Sequence, residues 1–165
     1  MAESDPNPIS TLGVVGAGTM GHGIAQTAIL SGVETTLLDI DGAALERAVE
    51  SIENGLERLV SRDRISDADR NAALSRLQTR SEMTTLASVD AVIEAASERL
   101  QLKRTIFEQI DAVADKALFI ASNTSSIPIQ QIIVPLAPER RARAIGLHYF
   151  NPAQVLPLVE VVRPL

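Results

Sequence analysis

The sequence predicts a doubly wound α/β fold: a mainly parallel sheet with helices on both faces and a C-terminal antiparallel strand pair. Three observations predict it. Short apolar runs alternate with amphipathic stretches along the chain, the order that yields parallel strands joined by helices. Hydrophobic residues make up 45% of the 165 but aromatics only 2% (Phe107, Phe119, Tyr149, Phe150), so the core is aliphatic, as buried parallel strands are. A glycine cluster, Gly16-Ala-Gly-Thr-Met-Gly21, ends the first apolar run, where a strand must turn into a helix.

The elements follow in order. Residues 11–15 form the first strand, and Met20, Ile24, Ala25, Ala28 and Ile29 recur at helical spacing up to Gly32, a natural helix stop. Residues 33–39 are the second strand. Asp41 is placed to cap a long helix whose Leu45, Ala48, Val49, Ile52, Leu56 and Leu59 share one face. Ser66-Asp-Ala-Asp69 opens another helix, with Ala72, Ala73 and Leu77 on its apolar side, and a short strand falls near 77–81. Strands at 89–94 and 117–122 flank a helix over 98–113. Residues 126–134, with Pro128 near the first turn, are a short helix, and 143–148 and 155–162 are the last strands. Residues 1–10 are a polar leader and 11–163 one domain.

Composition excludes several functions. Fifteen Lys and Arg against 21 Asp and Glu leave a net charge of -6, the wrong sign for holding nucleic acid by counterion release. The absence of cysteine removes disulfides, thiolate metal ligands and thiol nucleophiles, and no metal is expected. Residues 1–10 lack a basic or apolar signal region, and no apolar run reaches the ~18 residues of a membrane span, so a soluble, cytoplasmic protein is expected.

The glycine cluster has a chemical reading. Gly16 permits the sharp turn, Gly18 lets backbone N–H groups approach a diphosphate, and Gly21 lets the helix pack on the strand, with Thr19 and Met20 in its first turn. Asp39 ends the second strand, where a carboxylate accepts the adenosine ribose hydroxyls and repels the extra phosphate of NADP. The cofactor expected is NAD. Gly23 serves close packing, His22 is a polar residue on the outer helix face, and Met20 belongs to the core or a pocket wall.

Four stretches, VVGAGTMGHGIA (14–25), VIEAASERLQLK (92–103), ASNTSS (121–126) and HYFNP followed by LVEVV (148–162), together resemble the NAD-binding, Rossmann-type domain of the 3-hydroxyacyl-CoA dehydrogenase family. The resemblance spans about residues 11–163. It implies NAD-dependent oxidation of L-3-hydroxyacyl-CoA, 3-hydroxybutyryl-CoA among them, to the 3-oxo thioester, or the reverse, in lipid breakdown and butyrate-type pathways. His148 is then the acid/base, Glu160 the carboxylate that orients its imidazole, and Ser125 the hydroxyl on the reacting oxygen, with Asn123 and Asn151 lining the site. Glu98 and Lys103 match positions at the nicotinamide end, and Ala95 leaves room beside the sugar. On the residues alone, Glu98 and Lys103 are instead an exposed helix pair at a spacing poor for contact, and Ser125 or Ser126 a helix cap.

Two departures accompany the match. Family members often carry a serine and a lysine that touch the CoA where this chain has Gly55 and Arg62; Arg62 can still hold a phosphate, and an acyl-carrier-protein thioester stays open as the substrate. The chain also stops at Leu165, before the helical domain that in the family closes the cleft and forms the homodimer, which leaves a non-catalytic NAD-binding relative as the other reading.

Overall fold

A computed structural model describes residues 9–164; residues 1–8 of the leader lie outside the described residues. Seven strands form one sheet: β1 (Thr11–Val15), β2 (Glu34–Leu38), β3 (Leu77–Arg80), β4 (Ala91–Glu94), β5 (Phe119–Ser122), β6 (Ala144–Tyr149) and β7 (Val159–Val162). Their spatial order is β3-β2-β1-β4-β5-β6-β7, parallel except for β7, which runs antiparallel to β6. The chain builds outward from β1 to β3, then returns to lay β4 on the other side of β1. That reversal opens a crevice at the carboxyl ends of β1 and β4, where such sheets bind ligands.

Adjacent residues of each central strand feed opposite cores, as the period of two requires. Val14, Leu37, Ile93 and Ala121 pack with α1 (Thr19–Leu30), α2 (Gly42–Val60) and α3 (Asp67–Leu74). Val15, Leu38, Val92 and Ile120 pack with α4 (Leu100–Val113) and α5 (Ile129–Ile132). The helix starts follow local chemistry: Asp41 accepts the Ala43 N–H ahead of α2, and Ser66 and Asp69 form a reciprocal capping box ahead of α3.

Several boundaries differ from the sequence reading. The helix expected from residue 98 starts at Leu100, because Arg99 is still extended. The helix expected over 126–134 shrinks to α5, bounded by Pro128 in front and the Pro135 turn behind. The last strand begins at Val159 rather than 155, beyond Pro157, which has no N–H for a ladder. A 3-10 turn over Met83–Leu86 and a one-turn α6 (Pro138–Arg141) carried too little periodicity to be found. No helix among the described residues is long and apolar enough to cross a membrane.

Candidate active site

The glycine turn lies at the carboxyl end of β1. Gly16 has φ +108°, a conformation that side chains disfavour, and its N–H donates to the Leu38 carbonyl at 2.7 Å. A Cβ on Gly21 would sit 1.7 Å from the Gly16 carbonyl oxygen, so α1 packs on the turn only because that atom is missing. Gly18 differs: a Cβ there would meet nothing within 4 Å. Internal packing does not demand that glycine, and the open space in front of it is where a diphosphate would lie. Gly18 is also the N-cap of α1 without a side-chain cap, which leaves the first N–H groups of the helix to a ligand. Asp39 closes the arrangement from β2, its Oδ2 accepting from the Ala17 N–H at 2.8 Å and its Oδ1 from the Asp41 N–H at 3.0 Å. Thr19 is exposed and Met20 half-buried against the core. These residues fit a dinucleotide.

Beyond β4 and β5 the structure brings together the second group of residues. In the antiparallel pair, His148 stands directly opposite Glu160, and its Nδ1 lies 2.9 Å from Glu160 Oε2. An ionised carboxylate only accepts, so Nδ1 carries the proton and Nε2 is left with a lone pair. Ser125 Oγ lies 3.0 Å from that Nε2, within reach to donate to it when the imidazole is neutral. The Phe150 ring stands 4.8 Å from the imidazole, centroid to centroid. Asn123 ties the strand ends: its side-chain oxygen accepts the Tyr149 N–H at 2.9 Å, and its backbone N–H donates to the Glu94 backbone carbonyl at 2.8 Å. Asn151 is exposed just past the end of β6, and Ala95 is half-buried beside the turn, its N–H on the Val15 carbonyl at 2.7 Å.

Glu98 is exposed, as helical spacing implies, but Lys103 is buried and the two are within reach of each other. Glu98 precedes α4, so helical spacing does not govern it, and its Oε2 lies 3.3 Å from Lys103 Nζ. Lys103 is 1% exposed on the buried stripe it shares with Ile106, Phe107 and Ile110. Its ammonium also bonds both oxygens of Glu94, at 2.8 and 3.0 Å, and the Ala96 carbonyl at 3.2 Å. No sequence signal marks Glu94, Ser122 or Thr124; Glu94 reads there as the polar end of an apolar strand.

Glu98 Oε1 gathers the loop after β5: it accepts from the Thr124 hydroxyl, from the Ser125 and Ser126 N–H groups at 3.1 and 3.2 Å, and from the Ser126 hydroxyl at 3.1 Å. Ser126 is therefore a ligand of Glu98. Burial disfavours the Glu98 charge, but the Thr124 hydroxyl, the Lys103 ammonium and the Ser126 N–H outweigh it and lower its pKa from 4.5 to about 2. A carboxylate depressed in the folded state stabilises fully above its unfolded value and loses that contribution as pH falls toward the folded one. The melting-temperature advantage of wild type over Glu98→Gln is thus expected to be largest above pH 4.5 and to shrink between pH 4.5 and 2, read by thermal unfolding across that range.

Arg62 is not brought to this cluster. The helix α2 starts beside Asp39 and at ~1.5 Å per residue carries the chain roughly 28 Å down the sheet, so Arg62 is exposed beyond its far end. Gly55 faces α1, where a Cβ would come within 2.5 Å of the carboxamide oxygen of buried Gln26, so a serine there requires Gln26 to move. Gly23 packs on Ala153 and Gln154, while His22 is half-buried with Nδ1 3.1 Å from the Gly18 carbonyl. A concavity of about 670 Å³ lined by Leu118, Phe119, Arg143 and Arg163 lies toward the amino ends of β5 and β6, the opposite edge from these groups.

Comparison with known proteins agrees with the geometry. The family described as "3-hydroxyacyl-CoA dehydrogenase, NAD binding domain" matches residues 11–164. The chain is 42% identical over 158 residues to a 3-hydroxyadipyl-CoA dehydrogenase of Escherichia coli, covering 95% of this chain and 33% of that protein. It is 41% identical over 158 residues to a 3-hydroxybutyryl-CoA dehydrogenase of Mycobacterium tuberculosis, covering 95% and 54%. The crystal structure of (S)-3-hydroxybutyryl-CoA dehydrogenase from Ralstonia eutropha superposes with a TM-score of 0.89 at 40% identity, covering 95% of this chain and 55% of that one. The chain thus spans between a third and about half of the length of these relatives.

Proposed function

This chain belongs to the 3-hydroxyacyl-CoA dehydrogenase family, as its NAD-binding domain, and from that we propose that it is the cofactor half of an enzyme interconverting L-3-hydroxyacyl-CoA and 3-oxoacyl-CoA. The observation that carries the proposal is the line Glu160, His148, Ser125 at the carboxyl edge of the sheet that also bears the glycine turn.

The backbone of Gly16 to Gly21 and the start of α1 would hold the diphosphate, and Asp39 the adenosine ribose. Bound NAD supplies the hydride acceptor, and its reduced form the donor. In the oxidation direction, His148 Nε2 takes the proton of the substrate hydroxyl as C3 becomes a carbonyl. The imidazolium that results keeps its Nδ1–H on Glu160, which steadies the charge and prevents the ring from turning. Ser125 Oγ–H follows the oxygen through both states, since a hydroxyl donates as well as accepts. In reduction the same atoms work in reverse, and His148 returns the proton. Asn123 holds the ends of β5 and β6 together, and Asn151 offers a carboxamide at the rim. The substrate side would be completed by the length that the relatives have beyond this match.

The test joins residues 11–165 to the remaining part of the Ralstonia eutropha enzyme and follows NADH consumption with acetoacetyl-CoA. Turnover is expected. Its absence, with NADH still bound, would make the domain a nucleotide binder without this activity. Asp39→Ser bears on cofactor choice: wild type is expected to bind NADH at least ~10-fold more tightly than NADPH, and the variant less than about 3-fold, as one repulsion is removed. Fluorescence titration with both nucleotides reads it, and undiminished discrimination would count against Asp39.

A further inference from the structure

Glu94 and Lys103 form a charged pair with almost no solvent, 0% and 1% exposed. Taking two charges out of water is so costly that an apolar pair of the same volume commonly serves a fold as well or better. The reaction as derived above gives neither residue a chemical step, yet their contacts lead directly to it. Glu94 ends β4, one of the two central strands at the crevice, and its position is fixed from three sides. Its Oε1 accepts the Ala96 N–H at 2.7 Å, its Oε2 accepts the Ser122 hydroxyl at 2.6 Å, and both oxygens accept from Lys103. Lys103, anchored there, turns its remaining attraction on Glu98 Oε2. The other oxygen of Glu98 receives four donors from residues 124–126, a loop between β5 and α5 without regular structure of its own. The middle residue of that loop is Ser125, whose hydroxyl bonds His148 Nε2.

We propose that the buried Glu94–Lys103 pair is a positioning device for the reaction: it fixes Glu98, Glu98 fixes the 124–126 loop, and the loop aims Ser125 at His148. The proposal deepens the dehydrogenase reading and rests on it for the meaning of the Ser125–His148 contact. Both residues act on Ser125 through others. The central strand supplies rigidity, and the ammonium transmits it because three donors on one nitrogen serve Glu94, Ala96 and Glu98 together. A neutral residue at position 103 would fill the space and leave Glu98 unanchored.

The test is nitrogen-15 NMR on the 165-residue chain. The double variant Glu94→Gln/Lys103→Met removes both charges, so none is left buried alone, and the Gln oxygen still accepts from Ala96. Glu98→Ala, at a more exposed position, breaks the same relay and serves if the double variant fails to fold. In either folded variant the Ser125 and Ser126 amides are expected to exchange at least ~10-fold faster. The His148 Nε2 resonance is expected to move to its position in Ser125→Ala, while Nδ1, held by Glu160, stays. A lower melting temperature with Nε2 and the two amides unchanged would mark the pair as structural only and overturn the proposal, as would unchanged signals in Glu98→Ala. Failure of the dehydrogenase reading would show separately, as no acetoacetyl-CoA turnover by the wild-type hybrid with these signals intact.

Discussion

His148→Gln is expected to lower kcat for acetoacetyl-CoA reduction by about a thousandfold, within the ~10² to 10⁴ that a positioned acid/base contributes, while the affinity for NADH stays unchanged. The split follows from where the residue sits. Its imidazole is fixed by Glu160 on Nδ1 and Ser125 on Nε2, whereas the glycine turn and Asp39 lie on β1 and β2, on the other side of β4 and β5. Glutamine keeps much of the volume of a ring that is only partly covered, so the fold should survive and the melting temperature should change little. Glu160→Gln keeps the ring in place but removes the charge that opposes the imidazolium, and a smaller loss in the same parameter is expected. Steady-state rates at saturating NADH, with binding measured separately, check both. Equal losses of kcat and NADH affinity would move His148 from the chemistry to the cofactor.

Gly21→Ala is expected to damage fold and cofactor binding together. Its Cβ would meet backbone, the Gly16 carbonyl oxygen at 1.7 Å and the carbonyl carbon at 2.9 Å, so no side-chain rotation relieves the clash and α1 must move off β1. Overpacking of this kind costs about 1–3 kcal/mol or more. At about 2–4 °C per kcal/mol for a domain of this size, the melting temperature should fall by roughly 5–10 °C. Displacing the N–H groups that would face the diphosphate is expected to weaken NADH binding about 100-fold, near 2.7 kcal/mol. Gly18→Ala supplies the contrast: with open space around the added methyl, the melting temperature should hold while NADH affinity drops. Thermal unfolding and NADH titration distinguish the two. If Gly18→Ala binds NADH as wild type does, the space in front of Gly18 is not the ligand site.

The layering was legible because it rests on local rules. Val14 and Val15, Leu37 and Leu38, and Val92 and Ile93 each divide between the two cores, as a strand buried on both faces requires. Asp41 and Ser66 cap the helices they precede. The Glu160 to His148 contact was accessible too, given an antiparallel pair, because the register sets them opposite. What stayed hidden depends on tertiary neighbours. Glu94 looks like the polar end of an apolar strand until the strand lies between β1 and β5 and the carboxylate has nowhere to go but toward Lys103. A signal for Lys103 did exist: a lysine on a stripe with Ile106, Phe107 and Ile110 is either snorkelling or paired. The Glu98 contact is hidden by the pattern itself: helical spacing extends to residue 98, whereas the helix starts at Leu100 and leaves Glu98 free of that spacing. Gly23 reads as a close-packing residue in the sequence, but its partners, Ala153 and Gln154, lie about 130 positions away in the chain.

The proposed reaction places a hydride on the carbon and a proton on the oxygen of one carbonyl. Its most direct test uses NADH carrying deuterium in both C4 positions of the nicotinamide, the hybrid described above and acetoacetyl-CoA, with mass spectrometry of the product beside His148→Gln. Wild type is expected to give 3-hydroxybutyryl-CoA with one deuterium at C3, and the variant the same product about a thousandfold more slowly. No deuterium at C3, or equal rates of incorporation from both proteins, would contradict it.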